Sequence, residues 1–182
     1  MIQLVVFILC SLSIIYISRP WLLNPRSHGF YRFFAWEVIL ALTLLNIDRW
    51  FRNPFSWYQL ISWLLLFISL ILVIHALYLL KQIGKPDARR DDEPLLELEK
   101  TTTLVKIGAY RYIRHPMYSS LLFLAWGVFF KIPSWPGILL ALAASAFLIA
   151  TAKTEEAEDI RFFGEPYRAY IQETKMFIPY IL

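Results

Sequence analysis

Two short polar stretches carry the residue types that could do chemistry. One is Gly-Ala-Tyr-Arg-Tyr-Ile-Arg-His-Pro-Met-Tyr at 108–118; the other runs from Thr154 to Tyr170 and opens on the adjacent pair Glu155 and Glu156. Pro116 suits the first turn of a helix, where its missing N–H would be unpaired in any case, so Arg114 and His115 are presented from the turn that opens that helix. Glu155 and Glu156 fall just past the expected end of the next apolar run, a zone where a carboxylate costs less than at a bilayer centre and still takes a partner. A cationic or N–H-rich ligand fits that pair. Arg161, six residues beyond Glu155, could anchor a substrate anion, with an i,i+3 ion pair to Glu158 as an equal alternative. Glu158 and Asp159 themselves read as a solvated acidic face. The sequence shows no metal-spaced Cys/His set, Gly-rich phosphate loop or nucleophile elbow, so no metal is expected.

The elements that must position these residues are membrane helices. The 182 residues are 58% hydrophobic, 17% aromatic and 18% charged, outside the range of soluble domains. Apolar runs at 1–18, 30–47, 55–80, 116–130 and 135–152 predict an all-α integral membrane protein of five transmembrane helices. The first lacks a basic leader and a good cleavage site, so it reads as a helix rather than a signal peptide. Fifteen of the eighteen Lys and Arg lie in alternate connections, at 19–32, 81–116 and beyond 153. The positive-inside rule then sets the N-terminus outside and the C-terminus in the cytoplasm. Basic residues dispersed among acidic ones beside apolar runs speak for membrane flanks and against nucleic acid. Pro133, Pro136 and Gly137 make the last two runs a tight helical hairpin with both open ends on the cytoplasmic side. The alanines of the fifth helix permit close packing.

One membrane domain, 1–182, is expected: three helices in 1–80, a cytoplasmic loop at 81–115, the hairpin at 116–152 and a capping tail at 153–182. The polar stretch from Gly84 to Lys100 reads as a solvated linker, partly helical after Pro94. Trp21, Trp50, Trp57 and Trp135 read as an interfacial belt. His75 is expected to be hydrogen-bonded structure, and Glu37 to snorkel or pair with Arg32 or Arg26. The lone Cys10 permits no internal disulfide.

The order Gly108-x-Tyr110-Arg111-Tyr112-x-Arg114-His115-Pro116-x-Tyr118, an apolar hairpin, Glu155-Glu156, Phe163-Gly164-x-x-Tyr167-x-x-Tyr170 and Phe177-Ile178-Pro179 resembles the isoprenylcysteine carboxyl methyltransferase and phospholipid methyltransferase group of membrane enzymes. The likeness covers about residues 100–182. It departs at Met176, where the group usually has Arg, and at Asp159, where it usually has an apolar residue. The resemblance implies a multi-pass enzyme with its active site facing the cytoplasm. It implies S-adenosylmethionine as cofactor and a lipophilic small molecule or lipid, drawn from the membrane lipids, as acceptor. It also implies that His115, Tyr118, Glu155 and Glu156 contribute to the cofactor pocket; the cofactor's own groups add Tyr110, Arg114, Pro116 and Tyr167 as candidates for holding it, and Glu155, Glu156 and Arg161 are the candidates for catalysis. Two other classes stay open: a membrane reductase related to the sterol reductases that binds NADPH, disfavoured by chain length, and a non-catalytic membrane scaffold.

Overall fold

A computed structural model describes residues 2–85, 87, 96 and 100–181. Among the described residues, six helices follow one another: α1 (Ile2–Ser18), α2 (His28–Asn46), α3 (Trp57–Gln82), α4 (Pro116–Phe129), α5 (Trp135–Phe163) and α6 (Glu165–Glu173). Short 3₁₀ turns lie at Ile47–Arg49 and Gly108–Arg111, and an isolated parallel bridge joins Ile113 and Lys175. Local chemistry explains the helix starts. Ser27 and Ser134 cap α2 and α5 by accepting the N–H groups of Gly29 (3.3 Å) and Gly137 (3.2 Å). Pro116 opens α4 at a position that needs no backbone donor.

The stretches His28–Arg49, Trp57–Gln82 and Trp135–Phe163 are long and apolar enough to cross a bilayer, while Ile2–Ser18 and Pro116–Phe129 are shorter apolar helices. Large side chains such as Leu4, Leu9, Leu64, Phe67 and Leu142 stand exposed along them. Lipid is the medium in which such surfaces are stable.

The expected limits of the first four helices hold to within two residues. The fifth does not stop near residue 152. It runs on to Phe163, because the residues after the apolar segment (Lys153, Glu155, Glu156, Ala157, Glu158) are good helix formers and nothing breaks the ladder before Gly164. Gly164, at φ +67°, ends α5, and Pro166 follows in the first turn of α6, a helix the sequence reading did not anticipate. Glu155 and Glu156 are therefore inside a helix rather than beyond one. The partly helical segment expected after Pro94 lies outside the described residues except for Leu96 and Lys100.

A turn at 130–134 connects α4 to α5, and Trp126 Nε1 donates to Ser145 Oγ across them at 3.2 Å. The more extensive pairings, however, are α2 with α5 and α3 with α4. The small face of α5 is spent on α2: Ala141 and Ala144 pack with Ile39 and Leu42, and Leu148 and Ala152 with Ala35. Helix α3 is tied to α4 by hydroxyls, Ser62 Oγ donating to the Gly127 carbonyl (2.6 Å) and Ser69 Oγ to that of Ser120 (2.7 Å). Beyond the end of α4, the wholly buried Lys131 donates to Gln59 Oε1 at 3.1 Å and sits 3.1 Å above the Trp63 ring, and its burial pulls the amine down to about 8.

Where α5 leaves its apolar part, the structure corrects several expectations. Glu158 is buried, not solvated: it accepts the backbone N–H of His28 at 3.0 Å and meets the His28 ring at 2.5 Å. Arg32 is buried beside His28 and lies over the rings of Trp21 and Trp36. Trp21 therefore belongs to the core rather than to an interfacial belt, whereas Trp57 and Trp135 are exposed. Glu37 takes Ser11 of α1 as partner, at 2.6 Å, instead of an arginine. His75 is hydrogen-bonded structure as expected, accepting the Ala109 N–H at 3.3 Å.

Glu158→Ala strips His28 of its buried acceptor and is expected to destabilise the fold by about 1–3 kcal/mol. Thermal unfolding in detergent micelles would register this as a lower midpoint, with Glu158→Gln recovering part of the loss.

Candidate functional site

The first polar stretch is shaped by its glycine. Gly108 has φ +59°, and a Cβ there would collide with the ring of His75. The 3₁₀ turn that it opens carries Tyr110 into the interior, and Ile113 to His115 then lead into the start of α4. The closing segment pairs with this stretch through its backbone. Lys175 donates to the Tyr112 carbonyl (3.0 Å), Arg114 to that of Lys175 (2.8 Å) and His115 to that of Met176 (3.2 Å). Ser119 Oγ adds a bond to the Phe177 carbonyl at 2.8 Å, and Phe177 is fully buried. At the slot of Met176 it is the main chain that holds the strap, so the missing arginine does not loosen it.

The side chains converge from three directions. His115, 6% exposed, lies between the two acids of α5, with Nδ1 3.3 Å from Glu155 Oε2 and Nε2 3.3 Å from Glu156 Oε1. Arg114 Nε donates to Glu156 at 2.6 Å, while its Nη1 donates to the carbonyls of Ile171 and Thr174 at the end of α6. Tyr118 stacks on the His115 ring (5.5 Å between centroids, 18° between planes), and Phe163 stacks on Tyr167 (6.2 Å, 15°). Tyr170 Oη donates to the Tyr110 carbonyl at 2.5 Å. Burial by itself would lower the His115 pKa, but hydrogen bonding and charge from Glu155 and Glu156 win and raise it to about 9, keeping the ring an imidazolium at neutral pH. Burial, and behind it the carboxylates of Asp159, Glu155 and Glu156, pushes the Tyr167 hydroxyl far up, so it stays protonated.

These groups border a partly open pocket whose empty space, open solvent included, is about 660 Å³. Of the residues expected to form a site, Tyr110, Arg114, His115, Tyr118, Glu155 and Tyr167 line it. Glu156 stands behind His115 and Arg114 as their shared partner, and Pro116 is buried as the first residue of α4. Arg161 is not brought to the cavity: six residues after Glu155 on a continuous helix it points to a different side, and it is exposed. The sequence reading missed Asp159, which lines the cavity one turn beyond Glu155, with Phe163 a further turn on. The signal was present as the i, i+4, i+8 spacing of 155, 159 and 163, which becomes visible once α5 is known to continue. Leu80, the segment 101–105 and Met117 complete the apolar part of the lining through Leu80, Leu104, Val105 and Met117.

Sequence comparison now bears on this geometry. The phospholipid methyltransferase family matches residues 57–165, more than half of the chain and the part that builds most of the cavity. The chain belongs to this family. Among similar proteins is methanethiol S-methyltransferase 1 of Bradyrhizobium diazoefficiens, 25% identical over 93% of this chain and 52% of its own length. Methanethiol S-methyltransferase of Pseudomonas deceptionensis is 26% identical, over 95% and 58%, and protein-S-isoprenylcysteine O-methyltransferase of Rattus norvegicus is 28% identical, over 94% and 63%. The chain thus spans between about half and two thirds of the length of these curated relatives. No solved structure matches at comparable significance. Together with the apolar helices, the phospholipid methyltransferase family assignment makes the chain a membrane protein.

The imidazolium supplies a pH signature. With its folded pKa raised from 6.5 to about 9, His115 contributes stability that is fully present below pH 6.5 and is lost as pH rises through 9. The thermal midpoint of the wild type should fall relative to that of His115→Gln across this window. Equal slopes for the two proteins would exclude the His115 interactions as the cause.

Proposed function

We propose that the chain is an S-adenosylmethionine-dependent methyltransferase that crosses the membrane five times, with its C-terminus and active site on the cytoplasmic side and a lipophilic acceptor drawn from the bilayer. The observation that carries the reading is the cavity lined by Glu155 and by His115, which Glu156 backs, next to a strap formed by the closing segment. The excess of Lys and Arg in alternate connections supports the orientation.

The residues present fit the cofactor. Its ammonium suits the Glu155 carboxylate, its carboxylate suits the cationic side chains of Arg114 and His115, and its adenine and sulfonium suit the ring faces of Tyr118, Phe163 and Tyr167. When bound it supplies an already activated methyl group. The work left to the protein is then alignment and exclusion of water. Arg114 keeps Glu156 turned toward His115 by its short ion pair, and His115 in turn holds Glu155 at the cavity wall. The bonds from Arg114 to α6 set the depth of the cavity by fixing where the capping helix lies.

Full-length protein in detergent is expected to bind S-adenosylhomocysteine by calorimetry. Glu155→Gln should weaken that binding by about tenfold to a hundredfold, the loss of one charge-assisted contact. Absence of binding in the wild type would overturn the proposal. Tighter binding of NADPH than of S-adenosylhomocysteine would point instead to a reductase.

A further inference from the structure

Helix α3 carries polar groups that neither the bundle nor the cavity uses. Its buried Ser62, Ser69, Ala76 and Leu79 share one side, and the other side presents exposed Phe67, Ile71 and Ile74 to lipid. Over the last two turns that outer side changes character. His75, Tyr78 and Lys81 follow at intervals of three residues, all exposed, on a helix that has no carboxylate.

His75 Nε2 accepts the Ala109 N–H at 3.3 Å, so in the neutral ring the proton sits on Nδ1, which is left as a donor. Among the described residues no group accepts from that Nδ1, from the Tyr78 hydroxyl or from the Lys81 ammonium. Arg111 belongs to the Gly108–Arg111 turn that packs against α3. It too is exposed and has no carboxylate partner among the described residues; its guanidinium lies 5.9 Å from the Tyr112 ring. Donors without acceptors therefore gather at one rim of the bundle, and ionisable or polar side chains at a lipid-facing position call for a partner.

We propose that this rim, formed by His75, Tyr78 and Lys81 of α3 with Arg111 of the neighbouring turn, is a binding site for an anionic phospholipid. The inference goes beyond methyl transfer, since none of the four residues lines the cavity and the lipid is held rather than methylated. Charge and depth both select this occupant. The six residues from His75 to Lys81 rise about 9 Å, comparable with the polar layer of one leaflet. The two cations at the rim pair with the lipid phosphate, to which Tyr78 also donates, and His75 Nδ1–H, deeper in, meets an acyl ester carbonyl. Phe67, Ile71 and Ile74 continue the face of Tyr78 and give the acyl chains an apolar wall, which a free phosphate would not use. A choline or ethanolamine headgroup would bring its own cation toward Lys81 and Arg111, so lipids with a net negative charge are favoured. The bound lipid also bears on the cavity: a hydrogen bond from Nδ1–H makes Nε2 a better acceptor for Ala109, the neighbour of the cavity residue Tyr110.

The test mixes the full chain in detergent with equal amounts of phosphatidylglycerol and phosphatidylcholine of the same acyl chains and counts the lipid retained by native mass spectrometry. Wild type should retain phosphatidylglycerol at least about tenfold over phosphatidylcholine. Lys81→Gln combined with Arg111→Gln should bring the two lipids to near parity. Tyr78→Phe, which keeps the ring, should lower phosphatidylglycerol retention by about threefold and serves as the second variant should the double one fail to fold. Lys153→Gln combined with Lys175→Gln removes equal charge from exposed positions elsewhere and should leave the preference in place. Equal retention of the two lipids by wild type, equal losses in the two double variants, or full retention by Tyr78→Phe would overturn the site. Phosphatidylglycerol should raise the thermal midpoint of wild type where glycerol 3-phosphate does not, and an equal rise with both would refute the lipid as occupant. No cofactor enters these measurements, so their failure would leave the methyltransferase reading standing.

Discussion

Everything at the polar end of this protein depends on a buried imidazolium held between two adjacent carboxylates. His115 comes from the turn that opens α4, and Glu155 and Glu156 come from the polar extension of α5. Bringing one basic ring and two acids out of water is costly unless each finds a partner, so the three groups define one arrangement of the helix ends rather than a family of them. Arg114 adds the link to the capping helix, because the guanidinium that closes on Glu156 also reaches the last carbonyls of α6. A single ionic cluster thereby joins three separate segments of chain.

The rest of the fold keeps that cluster in register. The bundle is built on small-residue contacts between α5 and α2 and on hydroxyl-to-carbonyl bonds between α3 and α4, both suited to a medium that offers no hydrophobic drive for helix association. At the base of the α5 extension, Glu158 grips the first residue of α2, which fixes the rotation of the helix that bears Glu155 and Glu156. At the far end, Lys131 and Gln59 tie the α4–α5 connection to α3 under the rings of Trp63 and Trp50. The buried polar side chains among the described residues are mostly fastenings, and one group of them borders a cavity.

Much of this was legible in the chain. Long apolar runs give helices wherever the backbone must satisfy itself in lipid, and proline and serine mark where they start. The two polar stretches around the last apolar pair were recognisable as partners because a short connection returns the chain to the same side. The failures have a common source. Glu158, Asp159 and Arg161 lie within four residues of one another and carry similar local character, yet the first is buried against α2, the second lines the cavity and the third is exposed. Reading α5 as ended near 152 removed the helical periodicity that separates them.

Residue type and spacing alone determined that the chain is a membrane protein built of helices, where four of those helices begin and end, and which two polar stretches meet at the cavity, because these follow from local hydropathy and backbone capping. Only the tertiary structure decided which acids meet His115, that a backbone strap from 175–177 closes over 112–115, and that Asp159 rather than Arg161 faces the cavity. Those outcomes depend on the rotation of one continuous helix against α2 and α4, and on pairing between segments some sixty residues apart. No local pattern encodes either.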